Sequence, residues 1–207
     1  GCKCTVFDEQ GRYLNKAYKD YPVRRSVSGH EVDVSTIMDG VYAVVAEMAK
    51  EYPDIAGIGV TSFGETFVMT DENGLLLHVG LHTAMLYTDP RGEEECKALT
   101  EKFGARELAG ITGLRAHQMY SIPKMMWIKK NRPEIYDAAA YIFLMEDYVV
   151  YHLTGKRQID YSLATRTMAF DIKKLDWSKE IFEVAGIDVN KMSKTVPTGT
   201  DAGAITA

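Results

Sequence analysis

A short polar step between two apolar runs carries the side chains of this sequence that are best suited to chemistry. It reads Ser62-Phe63-Gly64-Glu65-Thr66. A carboxylate accepts several hydrogen bonds and a hydroxyl both donates and accepts, so Glu65 and Thr66 could hold a polar ligand. The same atoms could instead satisfy backbone groups where two strands end. The sequence therefore predicts either a ligand site at the mouth of a sheet or a capped turn.

The cysteines and histidines predict no metal site and no nucleophile. Cys2 and Cys4 lie on one face of a predicted strand, without further ligands at metal-binding spacing, and we interpret them as small apolar residues of a buried face. His78 and His82 are four residues apart, but a predicted strand and Gly80 separate them, so helical pairing does not apply.

The elements that must position the polar step are a hairpin, a long helix and a second hairpin. Gly11 can supply the positive φ of a first turn at residues 8–11. Asp33 is the predicted N-cap of a helix that ends before Pro53. Residues 55–62, "IAGIGVTS", predict a strand buried on both faces, and Glu72-Asn73-Gly74 predicts the turn of the second hairpin.

The second half of the chain is predicted to be mainly helical, and caps, glycines or prolines mark the helix ends. The predicted segments are a helix from an Asp89 N-cap with Pro90 in its first turn to Gly104, "IPKMMWIKKN" as a helix that ends before Arg132-Pro133, "YIFLMEDYVVYHLTG" as a strand that becomes a helix ending at Gly155, and a helix between Ser178 and Gly186. This mixture, with no linker between its parts, predicts one α/β domain built on a mixed β-sheet with appended helices.

Composition and charge argue against several classes of protein. The 207 residues are 46% hydrophobic and 26% charged, as in ordinary globular proteins. The net charge of −5 gives no reason to expect nucleic acid or an anionic membrane as a partner. No apolar run approaches the roughly 20 residues that span a bilayer. Three cysteines form no paired framework, so we expect a cytoplasmic protein.

Five motifs, taken in order, resemble one family of enzymes. They are "GHEVDV" (29–34), "YTDPR" (87–91), the P-K-x-x-W helix within "SIPKMMWIKKNRPEIY" (121–136), "DYVVYHLTGK" (147–156) and "DYSLATRTMAFDIKKLDWS" (160–178). Their order and spacing cover essentially the whole chain. On these motifs the sequence resembles the FGGY family of carbohydrate kinases.

The resemblance implies a ribonuclease H-like, actin-like fold in which two lobes close on a sugar and on ATP with Mg²⁺. Residues 1–207 resemble the first lobe, as a single N-terminal domain. The family's D-x-G-T-T phosphate loop would precede Gly1, which leaves Lys3 as the basic residue near the nucleotide phosphates. The catalytic base, an aspartate of a G-G-D segment, would follow Ala207. The resemblance therefore implies no catalytic residue and no metal ligand in this chain, and no activity of the lobe alone.

The polar step acquires a specific interpretation from the resemblance. In the family's glycerol kinases it reads N-Q-R-E-T, and its arginine and glutamate bind polyol hydroxyls. Glu65 and Thr66 match the last two residues, while Gly64 stands at the arginine position; xylulose kinases have Q-M-H-G here. The resemblance implies that Glu65 accepts a sugar hydroxyl, with a strand-end cap as the alternative. A glycine at position 64 predicts a pocket for a substrate bulkier than glycerol.

Further substrate residues are implied by the resemblance. Tyr87 stands where the family has an aromatic residue that packs on the carbon chain of the substrate. Asp89 matches a substrate position, although an aspartate before proline is also an N-cap. Met119 and Tyr120 fall where the family closes its pocket; Tyr120 could donate to a sugar hydroxyl or pack at the entry of the helix.

Four other residues of the motifs are interpreted as structural. Lys124 and Trp127 lie one helical turn apart, and we expect Lys124 to extend its amine to solvent while Trp127 packs. We expect Arg166 and Asp160 to belong to a polar network that holds the late helices.

The resemblance implies an ATP-dependent kinase acting on a hydroxyl of a small sugar or polyol, with xylulose as the leading substrate. A C-terminal lobe is the expected partner, and a homodimer is possible in this scheme. The alternatives are a non-catalytic sugar-binding or regulatory module of the same fold, and an actin-like assembly protein.

Overall fold

A computed structural model describes residues 1–27 and 29–206; Ser28 and Ala207 lie outside the described residues. Its helices are α1 (Val34–Glu51), α2 (Glu93–Phe103), α3 (Ala105–Thr112), α4 (Ser121–Asn131), α5 (Pro133–Ala138), α6 (Met145–Thr154), α7 (Tyr161–Thr165) and α8 (Lys179–Ala185). Its strands are β1 (Cys2–Phe7), β2 (Tyr13–Lys19), β3 (Arg24–Ser26), β4 (Gly29–Val32), β5 (Phe67–Thr70), β6 (Ala84–Met85), β7 (Tyr141–Leu144), β8 (Gln158–Asp160), β9 (Phe170–Asp171), β10 (Asp176–Trp177) and β11 (Lys194–Val196). Within these residues, no helix is long and apolar enough to cross a bilayer.

A five-stranded sheet in the order β3-β4-β6-β5-β7 forms the centre of the fold, and its neighbouring strands are antiparallel. Parallel pairing occurs outside this sheet, between β8 and β11 and at the single bridge between Ile142 and Met192. The predicted α/β class is confirmed. The predicted mixed sheet is not found in the described residues, because the five-stranded sheet is antiparallel throughout and its β7 edge carries only an isolated parallel bridge.

Side chains alternate across the central sheet and divide the core into two layers. In β5, Phe67 and Met69 enter one cluster, and Val68 enters the other. β7 alternates in the same way, as the two-residue repeat of a strand requires. Helices α2, α4 and α8 cover the first face, whereas α1 and α6 cover the second. Strands β4 to β7 are therefore largely buried on both sides, and ligands can approach them only at edges and strand ends.

Local capping fixes several helix boundaries as predicted. The carboxylate of Asp33 accepts from the backbone N–H of Ser35 at 3.1 Å and begins α1, and Ser178 begins α8. Gly155 and Gly186 end α6 and α8 in the left-handed conformation. These boundaries depend on neighbouring residues, and they are confirmed.

The first hairpin, β1 and β2, packs on α1 instead of joining the central sheet. Its predicted turn is confirmed, with Gly11 at φ +75°. Cys2 and Cys4 are half-buried beside Val44 and Met48 of α1, so the predicted buried face is found only in part.

The strand predicted at residues 55–62 is wrong. This segment is irregular, and most of its residues are exposed. Gly57 and Gly59 stand in open space and contribute no side chain that could pack against a sheet. Burial on both faces would have required strand partners that β1 and β2 do not provide, because those two strands pair with each other.

The second hairpin is found in shortened form. Its turn is confirmed at residues 71–75, where the carboxylate of Asp71 accepts from the N–H groups of Asn73 and Leu75. The returning strand is reduced to a bridge between Thr70 and Leu76, because the chain then turns again at Gly80.

Gly92 is a position at which the fold requires glycine. Its φ is +97°, and an added Cβ would lie 3.0 Å from the backbone carbon of Pro123 in α4. Gly92→Ala is expected to lower the free energy of unfolding by about 2–3 kcal/mol, because left-handed strain adds to a backbone collision. Urea unfolding followed by circular dichroism would measure this loss. Gly110→Ala, in open space on α3, is the control and should be neutral or stabilising; equal losses at both positions would contradict this view.

Candidate sugar site

Glu65 lies two residues before β5 and is buried, with 5% of its surface exposed. Its backbone carbonyl accepts a hydrogen bond of 2.9 Å from the hydroxyl of Ser121, the first residue of α4. The end of the central sheet and the start of α4 are thus joined at this residue. This bond fixes the backbone from which the carboxylate of Glu65 projects.

Arg166 is the cation that compensates Glu65. Its Nε–H donates to Oε1 of Glu65 at 2.8 Å, and Nη2 makes a second contact with the same oxygen. The guanidinium lies 5.2 Å from the centre of the Tyr120 ring. Arg166 follows α7, and Thr167 accepts from the N–H of Ile122 at 3.0 Å, which ties this turn to α4. The prediction that Arg166 holds the late helices is therefore incomplete, since its main partner is the polar step.

Gly64 makes room for Arg166. A Cβ built at position 64 would lie 2.3 Å from Cγ of Arg166. The predicted enlargement of the pocket by this glycine is wrong for this structure, because a side chain from a distant motif fills the space.

Thr66 is fully buried, and its hydroxyl has no hydrogen-bond partner among residues 1–27 and 29–206. The hydroxyl is enclosed by protein and does not face solvent. Within the polar step, Glu65 is thus the residue whose side-chain oxygens are linked to other predicted residues.

Lys124 is also fully buried, and this corrects the expectation that it extends to solvent. Its amine donates to the carbonyls of Gln118 and of Met119, the latter at 3.1 Å. Burial lowers the pKa of Lys124 to about 8, although the nearby carboxylates of Asp89 and Glu65 oppose this shift. The amine therefore fixes the loop that leads to Tyr120, and Tyr120 itself is buried.

Asp89, Arg91 and Glu31 form a second buried polar cluster. Arg91 contacts Asp89 through Nη2 at 2.6 Å and Nε at 2.8 Å, and it reaches Glu31 at 2.7 Å. The backbone N–H of His30 donates to Asp89 at 2.8 Å. Burial by itself would raise the pKa of Asp89, but the hydrogen bonds from Arg91 and His30 outweigh it and lower the pKa. The guanidinium also lies 5.2 Å from the ring centre of Trp127.

The predicted N-cap role of Asp89 is wrong. Helix α2 begins at Glu93, with Gly92 as its N-cap residue. The carboxylate of Asp89 instead accepts from the backbone N–H and the side chain of Arg91. A nearby arginine offers a carboxylate a stronger partner than a helix N-terminus does, so the turn at Pro90 stays outside the helix.

The remaining predicted residues lie in different places. Tyr87, two residues before Asp89, is 46% exposed and can meet a ligand. Lys3 is exposed on β1, and none of the polar or ring contacts in the described part of the chain joins it to the other predicted residues. The structure thus joins Gly64, Glu65 and Tyr120 through Arg166, places Asp89 and Glu65 near Lys124, and leaves Lys3 apart.

Sequence reasoning missed Arg166 and Lys124 as parts of this site. A signal was available for Arg166, since a buried Glu65 without a neighbouring arginine at position 64 needs a cation from elsewhere. For Lys124 no such signal existed, because lysine is rarely buried.

The described residues contain no group of three or more His, Cys, Asp or Glu side chains that could hold a metal ion. An open depression of about 480 Å³ lies between α2 and residues 116–118, and none of the predicted substrate residues lines it.

Comparison with known proteins decides the family. The profile of the N-terminal domain of the FGGY family of carbohydrate kinases matches residues 1–207. The chain belongs to this family. The resemblance drawn from the five motifs is confirmed.

FGGY kinases with different named substrates are similar to this chain. The gluconokinase of Bacillus subtilis (strain 168) is 30% identical over 95% of the chain, which covers 38% of the length of that enzyme. The glycerol kinase of Thermococcus gammatolerans is 29% identical over 89% of the chain, again 38% of its own length. The chain thus spans less than half the length of these relatives.

A solved structure supports the fold. The xylulose kinase of Rhodospirillum rubrum superimposes with a TM-score of 0.90 at 22% identity, over 99% of this chain and 42% of that one. The predicted ribonuclease H-like, actin-like fold class is confirmed.

Proposed function

We propose that this chain is the sugar-binding lobe of an ATP-dependent kinase that phosphorylates a hydroxyl of a small sugar or polyol. The observation that carries the proposal is Glu65, a buried carboxylate that Arg166 fixes two residues before β5, while Tyr120 lies beside the guanidinium of Arg166. A kinase must hold its polyol in one orientation. In this FGGY chain, Glu65 is a fixed acceptor beside Arg166, a fixed donor, and such a pair can hold a polyol in this way.

Each residue of the site has a proposed task. Glu65 accepts a substrate hydroxyl, and its buried pairing prevents it from turning away. Tyr120 closes the site beside Arg166. Tyr87, exposed at the end of the segment that Asp89 and Arg91 fix, packs on the carbon chain of the substrate. Asp89 then acts by positioning Tyr87, and Gly64 acts by leaving room for Arg166. Thr66 contributes through packing.

Xylulose remains our leading proposal for the substrate. Its support is the sequence likeness of the chain to the xylulose kinases of Bacillus subtilis and Lactococcus lactis. Relatives named for gluconate and glycerol make those two compounds the comparison substrates.

Among residues 1–27 and 29–206, no group of acidic side chains could hold a metal ion, and Lys3 is exposed on β1. We propose that the nucleotide is held largely by a C-terminal lobe, with Lys3 near its phosphates, and that the catalytic base also lies there. A cytoplasmic location and a possible homodimer are part of the same proposal.

The experiment that tests this function measures ADP release from ATP and Mg²⁺ against a panel of ketoses, polyols and gluconate. It compares the 207-residue chain with the full-length protein. Turnover by the full-length protein alone is the expected result, and it would also identify the sugar. No turnover with any member of the panel would favour a non-catalytic sugar-binding or regulatory module.

Glu65→Ala in the full-length enzyme is expected to raise the KM for sugar by about 10–100-fold, because a hydrogen bond to a charged group is lost. The KM for ATP should stay within about threefold, since Glu65 is assigned to the sugar alone. Steady-state kinetics with each substrate varied in turn measures both values. Glu72→Ala, in an exposed turn, is the control. An unchanged KM for sugar would remove Glu65 from the site.

A further inference from the structure

We propose that Arg166 is a specificity-determining residue that, together with Glu65, recognises two adjacent hydroxyls of a neutral sugar. This inference rests on the proposed function and assigns the substrate contact to a residue of the late helical region. It starts from how the guanidinium is held and from what it leaves free.

Arg166 is fixed on one side and open on the other. A guanidinium carries five N–H donors, and two of them donate to Glu65, which leaves three. Within residues 1–27 and 29–206, no other hydrogen bond of this side chain is found, while 35% of the side chain is exposed. The three free donors therefore belong to a side chain that is partly open to solvent and can be reached by a ligand.

The surroundings of Arg166 remove most of its freedom. The Cβ and Cγ atoms pack against Gly64, where an added Cβ would lie only 2.7 and 2.3 Å away. The ring of Tyr120 lies near the guanidinium, and Glu65 holds it by two contacts. Because the planar group is already oriented, little conformational entropy remains to be lost when it binds a ligand.

The charges of this pair indicate the class of ligand. Glu65 accepts hydrogen bonds and Arg166 donates them, and together they carry no net charge. Two neighbouring hydroxyls match such a pair, because one can donate to the carboxylate while the other accepts from the guanidinium. A carboxylate substrate would find a guanidinium that Glu65 already neutralises. The pair therefore favours a neutral vicinal diol over an acid sugar.

The test uses the full-length protein, the sugar with the highest turnover and its single-deoxy analogues. Wild type is expected to prefer the complete sugar over at least one analogue by about 10–100-fold in kcat/KM. Arg166→Met should reduce this ratio of kcat/KM values to about 1–3. The variant loses a contact that only the complete sugar makes, so kcat/KM should fall for that sugar and not for the analogue. Arg166→Lys should restore part of the ratio, and the KM for ATP should not change. Arg106→Met, on the exposed surface of α3, is the matched control.

Gly64→Ala provides a second test, in which the arginine at position 166 is retained. Its methyl group should displace the side chain of Arg166 and reproduce the loss of discrimination, and this variant serves if Arg166→Met does not fold. Equal losses for the sugar and all its analogues in these variants would show that Arg166 is only structural and would overturn the inference.

Failure of the proposed function gives a different result. Wild type could bind the sugar in calorimetry without turnover. The preference for the complete sugar over its deoxy analogues is then measured as a ratio of Kd values, and the effect of Arg166→Met on this ratio decides the role of Arg166. If wild type neither binds nor phosphorylates any sugar of the panel, both proposals are wrong.

Discussion

Asp89→Ala is expected to lower the free energy of unfolding by about 3–5 kcal/mol, because removing one partner of a buried ion pair leaves the other charge uncompensated. Asp89 is 1% exposed and takes three hydrogen bonds from Arg91 and one from the backbone of His30. Glu31 would remain as an anionic partner of Arg91. Urea unfolding followed by circular dichroism measures the change.

The size of this effect should depend on burial and on pH. Glu93→Ala breaks an ion pair with Lys97 on the exposed side of α2, and this control should leave the free energy of unfolding nearly unchanged, because solvent screens an exposed pair. Because the folded pKa of Asp89 is lowered, its contribution is present above the ordinary value of 3.8 and is lost as the pH falls through the folded pKa. A loss of less than about 1 kcal/mol at neutral pH would mean that Glu31 alone satisfies Arg91.

Glu146→Gln is expected to stabilise the protein at pH 8, by about 2–3 kcal/mol. Burial, together with the neighbouring carboxylate of Asp160, raises the pKa of Glu146 to about 7 from 4.5. The folded state therefore holds a proton that the unfolded chain releases, and stability falls as the pH rises from about 4.5 to 7. Burial also raises the pKa of Asp147, next in α6, in the same direction. Glutamine keeps the shape of the side chain and removes the charge that must be formed above pH 7.

The measurement is the pH dependence of urea unfolding between pH 4.5 and 8 for wild type and variant. The two curves should nearly meet at the acid end and separate as the pH rises, with a flatter curve for the variant. Glu101→Gln also replaces a carboxylate by an amide, but on the exposed surface of α2. The pH dependence of its unfolding should therefore follow that of wild type. Parallel curves for wild type and Glu146→Gln would contradict the assigned cause.

The sequence predicts those parts of the fold that depend on neighbouring residues. Asp33 and Ser178 begin their helices, and Gly155 ends another, because each acts on backbone groups within four residues. The turns at Gly11 and at residues 71–75 follow from the same local chemistry. The five ordered motifs added the fold class, which the comparisons confirm.

The candidate site was harder to predict, because its decisive contacts join distant residues. Arg166 lies 101 residues from Glu65, and neither the composition nor the spacing of the polar step indicates that partner. Lys124 contradicts the usual exposure of lysine, since the carbonyls of Gln118 and Met119 satisfy its amine inside the protein. The strand predicted at residues 55–62 failed for the related reason that a strand requires partners, and its own residues do not reveal them.

The long separations within the site also determine which form of the chain can bind a ligand. The pairs Glu65–Arg166, Glu31–Arg91 and His30–Asp89 close loops of 101, 60 and 59 residues, whereas the hairpins and capped helices close short ones. A partly folded chain can hold local structure without any of these pairs. We therefore expect the sugar to bind only the fully folded chain. At concentrations well above Kd, each tenfold increase in sugar would then add about 1.4 kcal/mol to the stability of the native state, so that the substrate itself protects the lobe against unfolding.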